Sequence, residues 1–143
     1  MDILVTDENS WRLCAIQVKT RRATGGDGGW HMQQKHEKLV ADDLFYVFVE
    51  FGKQPSDTTV SYVLPSRVVA GCIRDYHRVW LNTPGRRGQR RNESEVRRLL
   101  PDYSSKMPNT EEGRNIRDRY GSGWLELYRE KWSILGLPEA DGS

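Results

Sequence analysis

The sequence predicts an α/β fold, a small mixed β-sheet flanked by helices, from three stretches. Two apolar runs, Ile3–Val5 and Leu13–Val18, flank the turn-rich Asp7-Glu8-Asn9-Ser10, the pattern of a β-hairpin. A nearly continuous aromatic and β-branched run, LFYVFVEF over residues 44–51, has the composition of a central strand covered on both faces. Apolar residues recurring at three- and four-residue steps from Val68 to Trp80 mark an amphipathic helix packed on that sheet.

The length of 143 residues suits a single domain, residues 1–143, with a core over 1–81 and a basic loop and C-terminal helices over 82–143. No apolar run approaches the length needed to span a bilayer. Asp2 stands where the basic start of a signal peptide would be, so a cytoplasmic protein without a membrane partner is expected. Cys14 and Cys72 fall in a predicted strand and a predicted helix without metal-ligand spacing. They read as buried, reduced thiols.

In the hairpin, Cys14, Ile16 and Val18 share one strand face, while Leu13, Ala15, Gln17 and Lys19 share the other. Closure about Glu8 and Asn9 sets Asp2 opposite Ala15, on the face of Gln17 and Lys19. Polar groups beside a sheet core are costly unless paired or used, which makes Asp2, Gln17 and Lys19 the candidate site. Arg21 and Arg22 follow at the base of a glycine-rich loop, TGGDGG over 24–29. No helix follows this loop at phosphate-loop spacing, so it is not read as a nucleotide site. With the two arginines, it is placed to close over a phosphate backbone.

Trp30–Met32 reads as a short strand and Gln33–Val40 as helical. His31 and His36 are one residue too far apart for a metal pair on a helix face, and both are expected at the surface. The aromatic run over 44–51 is read as core rather than as a platform for bases. Thr58–Leu64 is the next strand, forming a hairpin with it. Ser66 is the expected N-cap of a helix over Arg67–Leu81, with His77 between its apolar and charged faces.

The most basic part of the chain follows. Arg74 to Arg98 contains eight arginines against three acids, an excess of five positive charges in a chain of net charge +2. The remainder is therefore net acidic, and such asymmetry suggests a surface for a polyanion. Arg86, Arg87, Arg90 and Arg91 lie in a turn-bounded loop where their forked donors suit phosphate. Beyond it, Glu93–Leu100 reads as a short helix, Thr110 as the cap of a helical turn over Glu111–Arg119, and Trp124–Leu135 as a closing helix stopped at Gly136.

The arrangement D-(x)14-Q-x-K, with the IQVKT strand, the glycine-rich loop, the aromatic strand and the VLPS helix start, resembles the PD-(D/E)XK nuclease superfamily. The likeness is to its small Holliday-resolvase-like and intron-endonuclease-like branch. It implies a restriction-endonuclease-like core and metal-dependent hydrolysis of DNA phosphodiester bonds. By the resemblance, Asp2, Gln17 and the backbone carbonyl of Val18 would hold Mg²⁺ or Mn²⁺, with Lys19 beside the attacking water. Mg²⁺ takes oxygen ligands and keeps several waters, so few carboxylates suffice. Gln33, Gln34 and Lys35 are further candidates on the following element.

Three departures accompany the resemblance. Met1 stands in place of the usual proline, Gln17 replaces a glutamate, and the helix and strand that usually precede the aspartate are not seen ahead of Asp2. The last leads to the expectation of an uncovered edge or face along Ile3–Val5, and of a homodimer through it. The alternative reading is a nuclease-fold module without catalysis that binds nucleic acid or a protein partner, as an accessory or inhibitor in a phage or mobile element.

Overall fold

The computed structural model describes residues 2–6, 13–22 and 28–136. Its main sheet has four strands in the order β1 (Asp2–Thr6), β2 (Leu13–Arg22), β4 (Leu44–Phe51), β5 (Val60–Pro65). The β1–β2 and β4–β5 pairs are antiparallel, while β2 and β4 run parallel. Parallel neighbours need a crossover connection, supplied here by β3 (Trp30–Gln33) and a 3₁₀ turn over Gln34–Glu37. The expected mixed sheet with flanking helices is therefore present.

β4 is central because both of its faces are apolar. Tyr46 and Phe48 point one way with Tyr62 and Leu64 of β5, and this face is covered by Val69, Cys72 and Ile73 of α1 (Ser66–Leu81) and by Trp30 and Met32 of β3. Phe45 and Val47 point the other way with Cys14, Ile16 and Val63, under Ile134 and Leu135. Cys14 and Cys72 are both buried and unpaired. Among the described residues, no helix is long and apolar enough to cross a membrane.

Several local expectations are corrected. The segment read as a helix over Glu93–Leu100 contains a strand, β6 (Val96–Leu99), antiparallel to β3. Its inward positions are Arg97 and Leu99, both buried, so a buried guanidinium masks the two-residue alternation that marks a strand. The region Gln33–Val40 forms only the one 3₁₀ turn. Ser66 is not the cap of α1: Pro65 occupies that position, and the Ser66 hydroxyl donates to the Ala41 carbonyl at 2.9 Å and accepts from the Ala41 N–H at 3.1 Å. It ties the start of α1 to the approach to β4.

The closing helix is also broken, into 3₁₀ turns over Trp124–Tyr128 and Trp132–Leu135. Between them the chain serves the open edge of β5. Glu130 N–H donates to the Ser61 carbonyl at 2.8 Å, and Ser61 N–H donates to Glu130 Oε1 at 2.9 Å. Satisfying an edge strand outweighs continuing a helix through this segment. Thr110 does cap α2 (Glu111–Tyr120), its Oγ1 accepting from Gly113 N–H at 3.1 Å. The Asp7–Ser10 turn and most of the glycine-rich loop lie outside the described residues.

Candidate functional site

The register across the sheet assembles the site. Asp2 pairs with Gln17, and Gln17 pairs with Tyr46, so a carboxylate, a carboxamide and a phenol lie side by side on one face. Lys19 stands two residues further along that face, opposite Phe48. The expected partner of Asp2 was Ala15; the observed register differs by two residues. Side chains repeat every two residues along a strand, so this shift leaves Asp2 on the expected face.

Backbone alternation locates the third oxygen. Ala15 N–H donates to the Asp43 carbonyl at 2.8 Å, on the β4 side. Ile16 and Val18 therefore aim their backbone groups at the β1 side, which makes Asp2–Gln17 a non-hydrogen-bonded pair with side chains close together. The Val18 carbonyl points to that side one residue beyond the pair.

His36 closes the site from the 3₁₀ turn. It is 2% exposed, which corrects its expected surface position, while His31 is exposed as expected. The His36 ring meets Tyr46 edge-on at 6.0 Å. Its Nδ1 accepts from Gln33 N–H at 2.9 Å, leaving the ring proton to Nε2 in the neutral form. Burial lowers its pKa below the ordinary histidine range, helped by the positive charges of Lys19 and Lys35 and opposed by Asp2. His36 was missed because five-residue spacing from His31 carries no signal; its burial arises from packing on Tyr46.

Tyr46 is fully buried, and its hydroxyl has no hydrogen-bond partner among the described residues. Burial, with the Asp2 charge adding to it, pushes its pKa up to about 12. It is thus a neutral phenol able to donate. An orphaned buried hydroxyl is costly unless something uses it. The composition of β4 marked Tyr46 as core and could not reveal that its polar end is unpaired.

The Asp2–Gln17 pair places a carboxylate and a carboxamide, both oxygen donors of the class Mg²⁺ takes, side by side next to the strand position of Val18. It carries a single negative charge: among the described residues, no three His, Cys, Asp or Glu side chains are grouped to hold a metal. Gln33, Gln34 and Lys35 are exposed on the turn that carries His36.

The arginines divide into two groups. Arg21 forms an ion pair with Glu50 at 2.6 Å and lies 4.4 Å over the Trp30 ring, which binds it into the sheet face. Arg91 is partly buried, 4.7 Å over the Trp80 ring, and donates to the Trp80 carbonyl at 3.4 Å. Both were expected among the phosphate-contacting arginines, and Arg91, expected to be exposed, is partly buried against Trp80. Arg22, Arg86, Arg87 and Arg90 are exposed. No protein-family model, curated protein or solved structure matches the chain.

Proposed function

We propose that the protein is a metal-dependent, nuclease-like hydrolase of DNA phosphodiester bonds on a restriction-endonuclease-like core. The observation that carries this is the Asp2–Gln17 pair with Lys19 on the same sheet face. Asp2, Gln17 and the Val18 carbonyl hold the Mg²⁺ or Mn²⁺. When bound, the metal supplies a water of lowered pKa and offsets charge on the phosphoryl oxygens. Lys19 orients the attacking water and adds positive charge where negative charge develops. Tyr46 brings a neutral, unpartnered hydroxyl to the same sheet face, and the His36 ring packs edge-on against it. The exposed Arg22, Arg86, Arg87 and Arg90 hold the DNA backbone. A cytoplasmic location is part of the same proposal.

The test is cleavage of plasmid DNA with Mn²⁺ or Mg²⁺. Asp2→Ala and Lys19→Ala are each expected to lower the rate about 10²–10³-fold while the domain stays folded. Equal cutting by wild type and both variants would sink the proposal. The lone carboxylate favours a second reading, a non-catalytic module that binds nucleic acid or a protein partner; DNA binding without any cutting selects it.

Self-association belongs to the same proposal. β1 is an edge strand with Ile3 41% and Leu4 70% exposed, a surface that favours pairing with a second copy. Sedimentation at high concentration is expected to show a dimer that Leu4→Lys dissociates. A monomer at every concentration would contradict it.

A further inference from the structure

β1 has β2 on one side and, among the described residues, no strand on the other. Which of its backbone groups face that open edge follows from the register. Ile3 and Val5 lie opposite Ile16 and Cys14, whose N–H and C=O groups point at β1 because those of Ala15 point at β4. Alternation then turns the backbone groups of Asp2, Leu4 and Thr6 to the open edge. All three residues are exposed. A row of this kind is a template for one more strand.

The same spacing makes the strand complementary to itself. Antiparallel neighbours exchange hydrogen bonds where one outward-facing residue meets another. A second copy related by a two-fold axis at Leu4 meets this condition along the whole strand. Leu4 then faces Leu4 of the second copy, Asp2 faces its Thr6, and Ile3 faces its Val5. Apolar and β-branched side chains pair with one another, and the two Asp2 carboxylates stay apart. Moving the axis to Ile3 or Val5 leaves Thr6 or Asp2 beyond the end of the facing strand.

We propose that two copies join through β1 in this register, and that each copy sets its Thr6 beside Asp2 of the other. Resting on the self-association proposed above, this register adds a residue from the second copy to the candidate site. Residues directly opposite in an antiparallel pair share a sheet face, with Cα atoms about 5.5 Å apart where they exchange hydrogen bonds. In one copy Asp2 has Gln17 as its neighbour on one side only. In the dimer Thr6 of the second copy stands on the other side, its hydroxyl a donor for the carboxylate. The two Asp2 residues lie four positions apart along the joined strands, about 14 Å at the usual rise of a strand. Both sites open on the same side of the joined sheet.

Cysteine variants of the full chain, oxidised mildly and run on a non-reducing gel, read the register. Leu4→Cys sets the new thiol opposite its own counterpart, at a Cα separation within disulfide range. Ile3→Cys and Val5→Cys each set it two positions away from its counterpart, too far to link. The native Cys14 and Cys72 are buried, and wild type oxidised in parallel controls for them. Leu4→Cys is expected to convert largely to a covalent dimer, while Ile3→Cys and Val5→Cys stay monomeric. A mixture of Asp2→Cys and Thr6→Cys chains is expected to link, and neither chain alone. The readout needs no cleavage, so these links in a protein that cuts no DNA uphold the interface and sink only the nuclease reading. The proposal is overturned if Leu4→Cys or the mixture stays monomeric, or if Ile3→Cys or Val5→Cys links as readily as Leu4→Cys.

Discussion

Asp2 and Gln17 face each other across the β1–β2 pair, a carboxylate beside a carboxamide on the sheet face that carries Lys19. Replacing the carboxamide with a second carboxylate doubles the formal negative charge of this pair. Gln17→Glu is therefore expected to tighten Mn²⁺ binding about tenfold or more, since ligand charge sets divalent-metal affinity across decades. Calorimetric titration with Mn²⁺ measures it. Unchanged affinity would remove Gln17 from the ligand set.

The Tyr46 hydroxyl gives a prediction of unusual sign. Deleting a buried polar atom that lacks a partner does not sacrifice a hydrogen bond and removes a desolvation penalty of about 1–3 kcal/mol. Tyr46→Phe should therefore leave thermal stability unchanged or raise it, although core substitutions usually destabilise. If the hydroxyl serves the site, the same variant loses Mn²⁺ affinity or cleavage rate. A clear fall in Tm would mean that the hydroxyl is already paired.

His36 makes stability depend on pH. Its folded pKa lies below the ordinary 6.5, chiefly through burial and then through Lys19 and Lys35. As pH falls through that ordinary value, the unfolded chain takes up a proton that the folded chain resists. The contribution is complete at higher pH and is lost on acidification. Between about pH 7 and pH 5, the wild-type Tm should fall more steeply than that of His36→Gln. Parallel curves would uncouple the imidazole from folding.

The basic loop separates binding from stability. Arg86, Arg87 and Arg90 are exposed, whereas Arg91 is stacked on Trp80. Converting the three exposed arginines to Ala should flatten the salt dependence of DNA binding by up to about 3, at about 0.9 per phosphate contact, with little change in Tm. Arg91→Ala should instead lower stability by about 1 kcal/mol through the lost cation–π contact. Salt titrations and thermal melts of the two variants decide it. Superimposable binding curves for wild type and the triple variant would leave the loop without a role in DNA binding.

The strands β2 and β4, the helix α1 and the common face of Asp2, Gln17 and Lys19 are legible in the residues alone. Periodicity is local, and a two-residue error in hairpin register leaves every side chain on its face, which is why the Asp2–Ala15 expectation and the Asp2–Gln17 pair place the same groups together. Other features depend on partners distant in the chain. β6 is a strand because β3 supplies its hydrogen bonds, and the inward Arg97 is tolerated because Glu37, sixty residues away, meets its charge. His36 is buried because it packs on Tyr46, and Arg21 and Arg91 are held by Glu50, Trp30 and Trp80. Desolvation and pairing act through space, so no window of neighbouring residues contains them.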